Sequence, residues 1–161
     1  MSERKAKYGI ADTFDKLRKI VADAGGFVDL PEGFGDDGFR KHHITIPGLP
    51  PAQYSGNARV HWTERRNARD SYYGLVLETI AQANGGVVPS FTPLDKCVVT
   101  VTFSLDHRRR DWDNLVSRTK PLWDALVNLH MIRDDSIDCI TEFVLRYRYG
   151  TLQTEVLITE A

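Results

Sequence analysis

Hydrophobic and polar residues alternate in the stretch CVVTVTFSLD, residues 97–106. One face of this stretch carries four apolar side chains: Val99, Val101, Phe103 and Leu105. The other face carries Thr, Ser and Asp side chains. Because successive side chains of a β-strand point to opposite faces, this alternation predicts a half-buried strand. The strand leads directly into the charged segment HRRRDWDNL, residues 107–115.

Apolar residues recur at helical spacing in three further stretches. The first is DTFDKLRKIVADA, residues 12–24, which Gly25-Gly26 can end. The second is ERRNARDSYYGLVLETIAQAN, whose buried side is predicted to carry Tyr72, Leu75, Val76, Thr79 and Ile80. The third is KPLWDALVNLHMI, with a stripe of Leu122, Trp123, Leu126, Val127 and Leu129. Pro121 is best tolerated in a first turn, so this helix is expected to be regular from about residue 118.

The remaining patterns predict strands. HHITIP begins a short strand that Pro47 ends, and residues 143–149 and 152–158 alternate on either side of Gly150-Thr151. The last two are expected to form a terminal β-hairpin. The resulting order, β-α-β-α-β-β, predicts one α+β domain with a mixed sheet, residues 41–161. Residues 1–40 are expected to form an N-terminal extension with one amphipathic helix.

Composition narrows the classes of protein without identifying one. The chain has 161 residues, which suits one domain with its own core, and a formal net charge of −1, which excludes a generally basic nucleic-acid binder. Cys97 and Cys139 lack zinc-ligand spacing and are expected to be buried thiols in a reducing compartment. No apolar run is long enough to span a membrane, and MSERKAKYG lacks the apolar core of a signal peptide. We therefore expect a cytoplasmic protein.

Charge is distributed unevenly along this nearly neutral chain. Residues 107–120 contain five Lys or Arg side chains against two acids, Asp111 and Asp113. Residues 59–70 contain four arginines against Glu64 and Asp70. If the two aspartates bind a divalent metal, both regions become cationic. A metal-dependent site for phosphate groups is therefore compatible with a neutral total charge.

Asp111 and Asp113 are the leading candidates for metal ligands. Residues i and i+2 of an extended chain point the same way, and hard oxygen ligands suit Mg²⁺ or Mn²⁺. Asp134 and Asp135 follow one helix later, and whether packing brings them near the first pair is left open by spacing. Lys120 and the arginines supply the cations that phosphate-ester chemistry needs. The alternatives are a helix cap for the acids and a solvated surface for the arginines, and composition alone leads no further than an acidic metal site.

DHRRRDWDNLVSRTKPLWDALVNLHMIRDDSID, residues 106–138, resembles the signature of the RusA-type Holliday junction resolvases. That signature has basic residues, a D-x-D-N motif, a Lys, a D-A-L helix and a D-D turn. ITIPGLPPAQYSGNARVHW, residues 44–62, resembles the family's opening strand, proline turn and Asn/Arg loop. The resemblance covers roughly residues 42–160. It implies a homodimeric endonuclease that uses Mg²⁺, or Mn²⁺ as a substitute, and nicks two opposed strands of a four-way DNA junction.

The resemblance also implies roles for individual residues. Asp111, Asp113 and Asp135 match the metal-binding, catalytic carboxylates, and Lys120 matches the catalytic lysine. The interval from Asp113 to Lys120 is longer than in the family's pattern, so VSRT, residues 116–119, is expected to bulge, with Arg118 as the alternative cation. Side chains expected to hold the DNA backbone are Arg59, Arg65, Arg66, Arg69, Arg108, Arg109, Arg110 and Arg118.

Three further interpretations follow from the same residues. Trp112 is expected to anchor its loop in the core, because alternation points it away from the two carboxylates. A junction-binding protein that has lost catalysis is one rival function, which the displaced lysine favours. A metal phosphoesterase that acts on flap or RNA substrates is the other.

Overall fold

The computed structural model describes residues 33–34, as backbone, and residues 39–161. The helix predicted at residues 12–24 lies outside this part of the chain. The strands are β1 (Gly33–Phe34), β2 (Arg40–Pro47), β3 (Cys97–Leu105), β4 (Ile140–Tyr149) and β5 (Gln153–Glu160). The helices are α1 (Trp62–Ala83), α2 (Trp112–Ser117) and α3 (Lys120–Asn128), with a 3₁₀-helix at Ala52–Tyr54.

The five strands form one sheet in the order β1-β2-β5-β3-β4. β3 pairs with β4 in parallel and with β5 antiparallel, so the sheet is mixed. The long elements follow the order β-α-β-α-β-β when α2 and α3 are taken as one interrupted helix. The predicted α+β class with a mixed sheet is therefore confirmed. β1 pairs with the start of β2, so the sheet extends into the predicted N-terminal extension.

The predicted terminal hairpin is wrong, because β3 lies between β4 and β5. The chain leaves β4 at Tyr149 and crosses the end of β3, where the Gly150 amide donates a hydrogen bond to the Leu105 carbonyl at 2.9 Å. It then returns as β5, with Gln153 opposite Ser104. The Gly150-Thr151 turn reverses the chain, but a turn signal does not determine which strand the reversed segment pairs with.

The core lies between one face of the sheet and the helices. Val99, Val101 and Phe103 are fully buried and Leu105 is nearly so, as the alternation predicts. α1 contributes Tyr72, Tyr73, Val76, Leu77, Ile80 and Ala81. α3 contributes Leu122, Ala125 and Leu126. Leu75 and Thr79, predicted for the buried side of α1, are only half-buried. The chemistry-bearing segment thus emerges from a strand that is held rigidly from both sides.

Cys97 and Cys139 are buried and free, as predicted. Burial raises the pKa of the Cys97 thiol to about 12, and the neighbouring Cys139 adds to the shift. A thiol with so high a pKa stays protonated and is a poor nucleophile. Separately, the helices in the described ranges include none with both the length and the apolar character needed to cross a membrane.

Candidate functional site

Asp111 and Asp113 lie where the chain changes from strand to helix. β3 ends at Leu105, and Asp111 has extended backbone angles as the residue that precedes α2. Asp113 belongs to the first turn of α2. Both side chains are exposed. Neither carboxylate has a hydrogen bond or ion pair with any side chain or backbone group in residues 39–161, so both are available to a ligand.

The helix that follows is interrupted between Asp113 and Lys120. α2 ends at Ser117, Arg118 and Thr119 form a turn, and α3 begins at Lys120. The Thr119 hydroxyl donates to the Val116 carbonyl at 2.7 Å and accepts a hydrogen bond from the Trp123 indole at 3.0 Å. The helix is therefore interrupted by a turn at residues 118–119. Val116 and Ser117 still belong to α2, and Arg118 and Thr119 keep right-handed helical backbone angles, so the interruption is not a bulge of all four residues. The regular part of α3 begins about two residues later than predicted, because Arg118 and Thr119 make the turn.

Packing brings the D-D turn beside Lys120. The Lys120 Nζ lies 2.7 Å from Asp135 Oδ2 and 2.9 Å from Asp124 Oδ1. Asp124 is on the same helix, one turn later, whereas Asp135 reaches the lysine from the loop after α3. Asp134 precedes Asp135 in that turn and is exposed. Lys120, the first residue of α3, thus connects its own helix to the D-D turn.

The contact changes the protonation equilibria of both partners. The hydrogen bond from Lys120 holds the pKa of the Asp135 carboxyl below its usual value. Burial opposes the charged form of Lys120, but hydrogen bonds to Asp135 and Asp124 outweigh it and raise the pKa of the lysine. At neutral pH the site therefore contains an ammonium between two carboxylates.

We expect the Asp135 carboxyl to titrate below its ordinary pKa of 3.8, and Lys120→Met to raise its midpoint towards that value. Because the folded-state pKa is lowered, the pair contributes stability above the ordinary pKa of aspartate, and this is lost as pH falls through the lowered value. Carbon-detected NMR titration of the carboxyl measures the midpoint. An unchanged midpoint in Lys120→Met would contradict the pairing.

Arg118, the alternative cation, is directed elsewhere. Its guanidinium donates two hydrogen bonds to the Pro50 carbonyl, one of them at 2.7 Å from Nε, and is half-buried. Burial lowers the pKa of this arginine. The described contacts therefore associate Lys120, and not Arg118, with Asp135. The hydrogen bonds of Arg118 instead connect Pro50 to the end of α2.

A second set of hydrogen bonds joins α2 to the loop that contains Ser55 and Asn57. Asn114 Oδ1 accepts a hydrogen bond from the Ser55 hydroxyl at 2.8 Å and from the Asn57 amide at 3.4 Å. Sequence reasoning did not identify Ser55, since nothing in its spacing links residue 55 to residue 114. The two sets of hydrogen bonds together hold residues 50–57 against the helix that carries Asp113.

The eight predicted DNA-binding arginines differ in their contacts. Arg108 and Arg110 both pair with Asp106, at 3.1 and 2.8 Å, and the bond from Arg110 lowers the pKa of that carboxyl. Arg59 and Arg109 are exposed. The other contacts are those of Arg65 with the Gln53 and Ala58 carbonyls, of Arg66 and Arg69 with Asp70, and of Arg118 with Pro50. The exposed arginines of this set are therefore Arg59, Arg65, Arg108 and Arg109.

Trp112 is not anchored in the core, contrary to expectation. Its side chain is 48 % exposed and meets the Tyr147 ring edge-on at 5.5 Å. β3 ends at Leu105 and α2 begins at Trp112, so strand alternation does not reach residue 112 and helical spacing sets the direction of its side chain.

The three predicted metal ligands are suited to Mg²⁺ by chemistry, since all are carboxylates and two of them have no partner in the described chain. The third, Asp135, is bound to Lys120. Within residues 39–161, no three Asp, Glu, His or Cys side chains are close enough together to hold a metal ion. Asp111 and Asp113 are the residues that would hold a metal here, and within residues 39–161 the structure does not bring Asp135 into a three-ligand group with them.

Comparison with known proteins adds no relative. No family model matches the chain, and no curated protein matches it.

Proposed function

We propose that this chain is a Mg²⁺-dependent, structure-selective DNA endonuclease that resolves four-way junctions by paired nicks. The observation that carries the proposal is the 2.7 Å contact between Lys120 and Asp135. It joins the lysine that follows the D-x-D-N motif to the D-D turn, two parts of the resemblance that are separated by a helix in sequence. The free carboxylates of Asp111 and Asp113 lie at the start of the same interrupted helix.

In this proposal Asp111, Asp113 and Asp135 hold the metal. Bound there, Mg²⁺ supplies neutralisation of phosphate charge and lowers the pKa of water, the two requirements of phosphodiester hydrolysis. Lys120 places an ammonium where negative charge develops on the scissile phosphate. Arg59, Arg65, Arg108 and Arg109, the exposed arginines of the predicted set, contact the DNA backbone, and Arg118 positions the loop that carries Pro50.

A two-fold homodimer suits this activity, because a four-way junction presents two equivalent strands to two equivalent sites. The resemblance implies 5′-phosphate and 3′-hydroxyl ends at each nick. The corresponding process is DNA recombination and repair in a bacterial or phage-infected cytoplasm.

The test is cleavage of a labelled four-way junction by the wild-type chain, with a flap, an RNA duplex and a plain DNA duplex as competitors. Symmetric nicks in the junction that require Mg²⁺ or Mn²⁺, and that only unlabelled junction suppresses, support the proposal. Nicking of the flap or RNA in preference to the junction would instead establish the broader metal phosphoesterase.

A junction-binding protein without catalysis is the second candidate, and one observation favours it. Lys120 is paired with both Asp124 and Asp135, so its charge is already neutralised within the chain. Tight binding of the junction without nicks, in Mg²⁺ and in Mn²⁺, would establish this candidate and overturn the enzyme.

A further inference from the structure

The outer strand β4 carries aromatic residues that the helices leave uncovered. Tyr147 and Tyr149 lie opposite Phe103 and Leu105 in the parallel pairing of β4 with β3, so they share the core face of the sheet. Phe103 and Leu105 are buried, but Tyr147 is 50 % and Tyr149 60 % exposed. Core packing does not account for these half-exposed rings, and exposed apolar patches of this kind mark binding sites.

These tyrosines belong to a continuous set of rings. The Tyr149 ring stacks on His107 with the centroids 4.8 Å apart and 27° between the planes. Tyr147 meets Tyr149 edge-on at 5.8 Å and Trp112 at 5.5 Å. The rings of β4 thereby hold Trp112 and His107 in place, although all four side chains remain open to solvent.

The rings line a groove of about 370 Å³, which we call the aromatic groove. Its lining includes Arg108, Arg109, Arg110, Trp112, Tyr147 and Tyr149. The volume is within the range of about 300–1,000 Å³ that is usual for ligand clefts. No acidic side chain is among the lining residues, and the two acids of the motif flank Trp112 in sequence. The groove therefore combines stacking surfaces with cations.

We propose that the aromatic groove binds an unpaired nucleobase of a single-stranded DNA segment, with the arginines on the adjoining phosphates. Aromatic rings beside a cationic track are the means by which proteins hold single strands, since every base has a face that can stack. Within the proposed function, which this inference deepens, the base would come from the unpaired region at the branch point of the substrate.

A second copy of this chain is the competing occupant, and charge disfavours it. In a two-fold interface the same patch faces itself, which would bring two sets of Arg108, Arg109 and Arg110 together. Within residues 39–161, only Asp106 pairs with this set, and it already engages Arg108 and Arg110, while the unpartnered Asp111 and Asp113 lie outside the groove lining. A phosphate backbone, in contrast, complements the arginines.

The experiment measures binding of a labelled oligothymidylate to the full chain by fluorescence anisotropy, with EDTA present so that nicking does not interfere. A second oligomer of equal length has abasic sites in place of its bases. We expect the wild type to bind the oligothymidylate more tightly than the abasic oligomer, and binding to quench tryptophan fluorescence. Tyr147→Leu should weaken binding of the oligothymidylate by about fivefold or more and leave binding of the abasic oligomer unchanged.

Tyr147→Phe keeps the ring and should bind as the wild type does. Phe143→Ala is the matched control on the same strand, because Phe143 packs on Trp123 outside the groove. Equal affinity of the wild type for the two oligomers, or an unchanged affinity in a folded Tyr147→Leu variant, would overturn the proposal. A change of sedimentation coefficient in Tyr147→Leu without a change in oligomer binding would assign the groove to a second copy.

The outcome is separable from that of the proposed function. Base-dependent binding of the single strand, without junction nicking by the wild type in Mg²⁺, would support single-strand binding in the aromatic groove and contradict the endonuclease activity. Junction nicking without any preference for bases over abasic sites would support the endonuclease activity and contradict base binding in the aromatic groove.

Discussion

Asp113→Asn is expected to lower the rate of Mg²⁺-dependent junction nicking by roughly 10³-fold while junction binding persists. Asn has nearly the shape of Asp, and the Asp113 side chain makes no contact that folding requires within the described residues. The substitution therefore removes a charged metal ligand and little else. Cleavage rates of a labelled junction at saturating enzyme measure the change.

Asp138→Asn is the matched control, since Asp138 is also an exposed acid and lies three residues after Asp135. Calorimetric titration with Mg²⁺ gives a second readout, because Asp113→Asn should also weaken metal binding in the absence of DNA. Full activity in Asp113→Asn, or equal losses in Asp113→Asn and Asp138→Asn, would contradict the assignment of Asp113.

Lys120→Met is expected to lower the nicking rate by roughly 10²-fold at saturating junction, with little change in the junction concentration needed for half-maximal rate. Met keeps most of the length and apolar surface of the stem but removes the ammonium that contacts Asp135 at 2.7 Å. A group that acts on charge developing in the transition state affects turnover more than binding.

Lys96→Met provides the control, because Lys96 is an exposed lysine just before β3. Single-turnover kinetics over a range of junction concentrations separate turnover from binding. A loss confined to binding would make Lys120 a contact to the DNA backbone. An unchanged rate would show that Lys120 has no catalytic role. Arg118→Lys, which keeps the charge near Pro50, should leave turnover in place if Lys120 is the catalytic cation.

Local sequence patterns were sufficient to predict most of the helices and strands. The alternation in β3 identified its buried face, because a strand between two neighbours must place one set of side chains in the core. The apolar stripe of α3 identified Leu122 and Leu126 for a similar reason. A departure from one continuous helix before Lys120 was expected from the resemblance, because the Asp113–Lys120 interval is longer than the family's, although the structure makes it as a turn at residues 118–119.

Other features depended on distant parts of the chain. The separation of β4 and β5 by β3 was not predictable from the Gly150-Thr151 turn, because strand pairing is decided by which apolar faces can be buried together. Trp112 was assigned to the core by extending the alternation of β3 past its end at Leu105 to the first residue of α2. The hydrogen bonds of Ser55 to Asn114 and of Arg118 to Pro50 each join residues more than 55 positions apart.

The sequence by itself therefore determined the class of the fold, the buried face of β3 and the set of carboxylates and cations in the motif. These depend on periodicity and residue chemistry, which are local. Only the tertiary structure decided that Lys120 meets Asp135, that Arg118 turns to Pro50 and that the rings of β4 stay open beside Arg108 and Trp112. Each of these depends on how far the helix layer extends over the sheet and where each loop returns, and such long-range packing leaves no periodic trace in the chain.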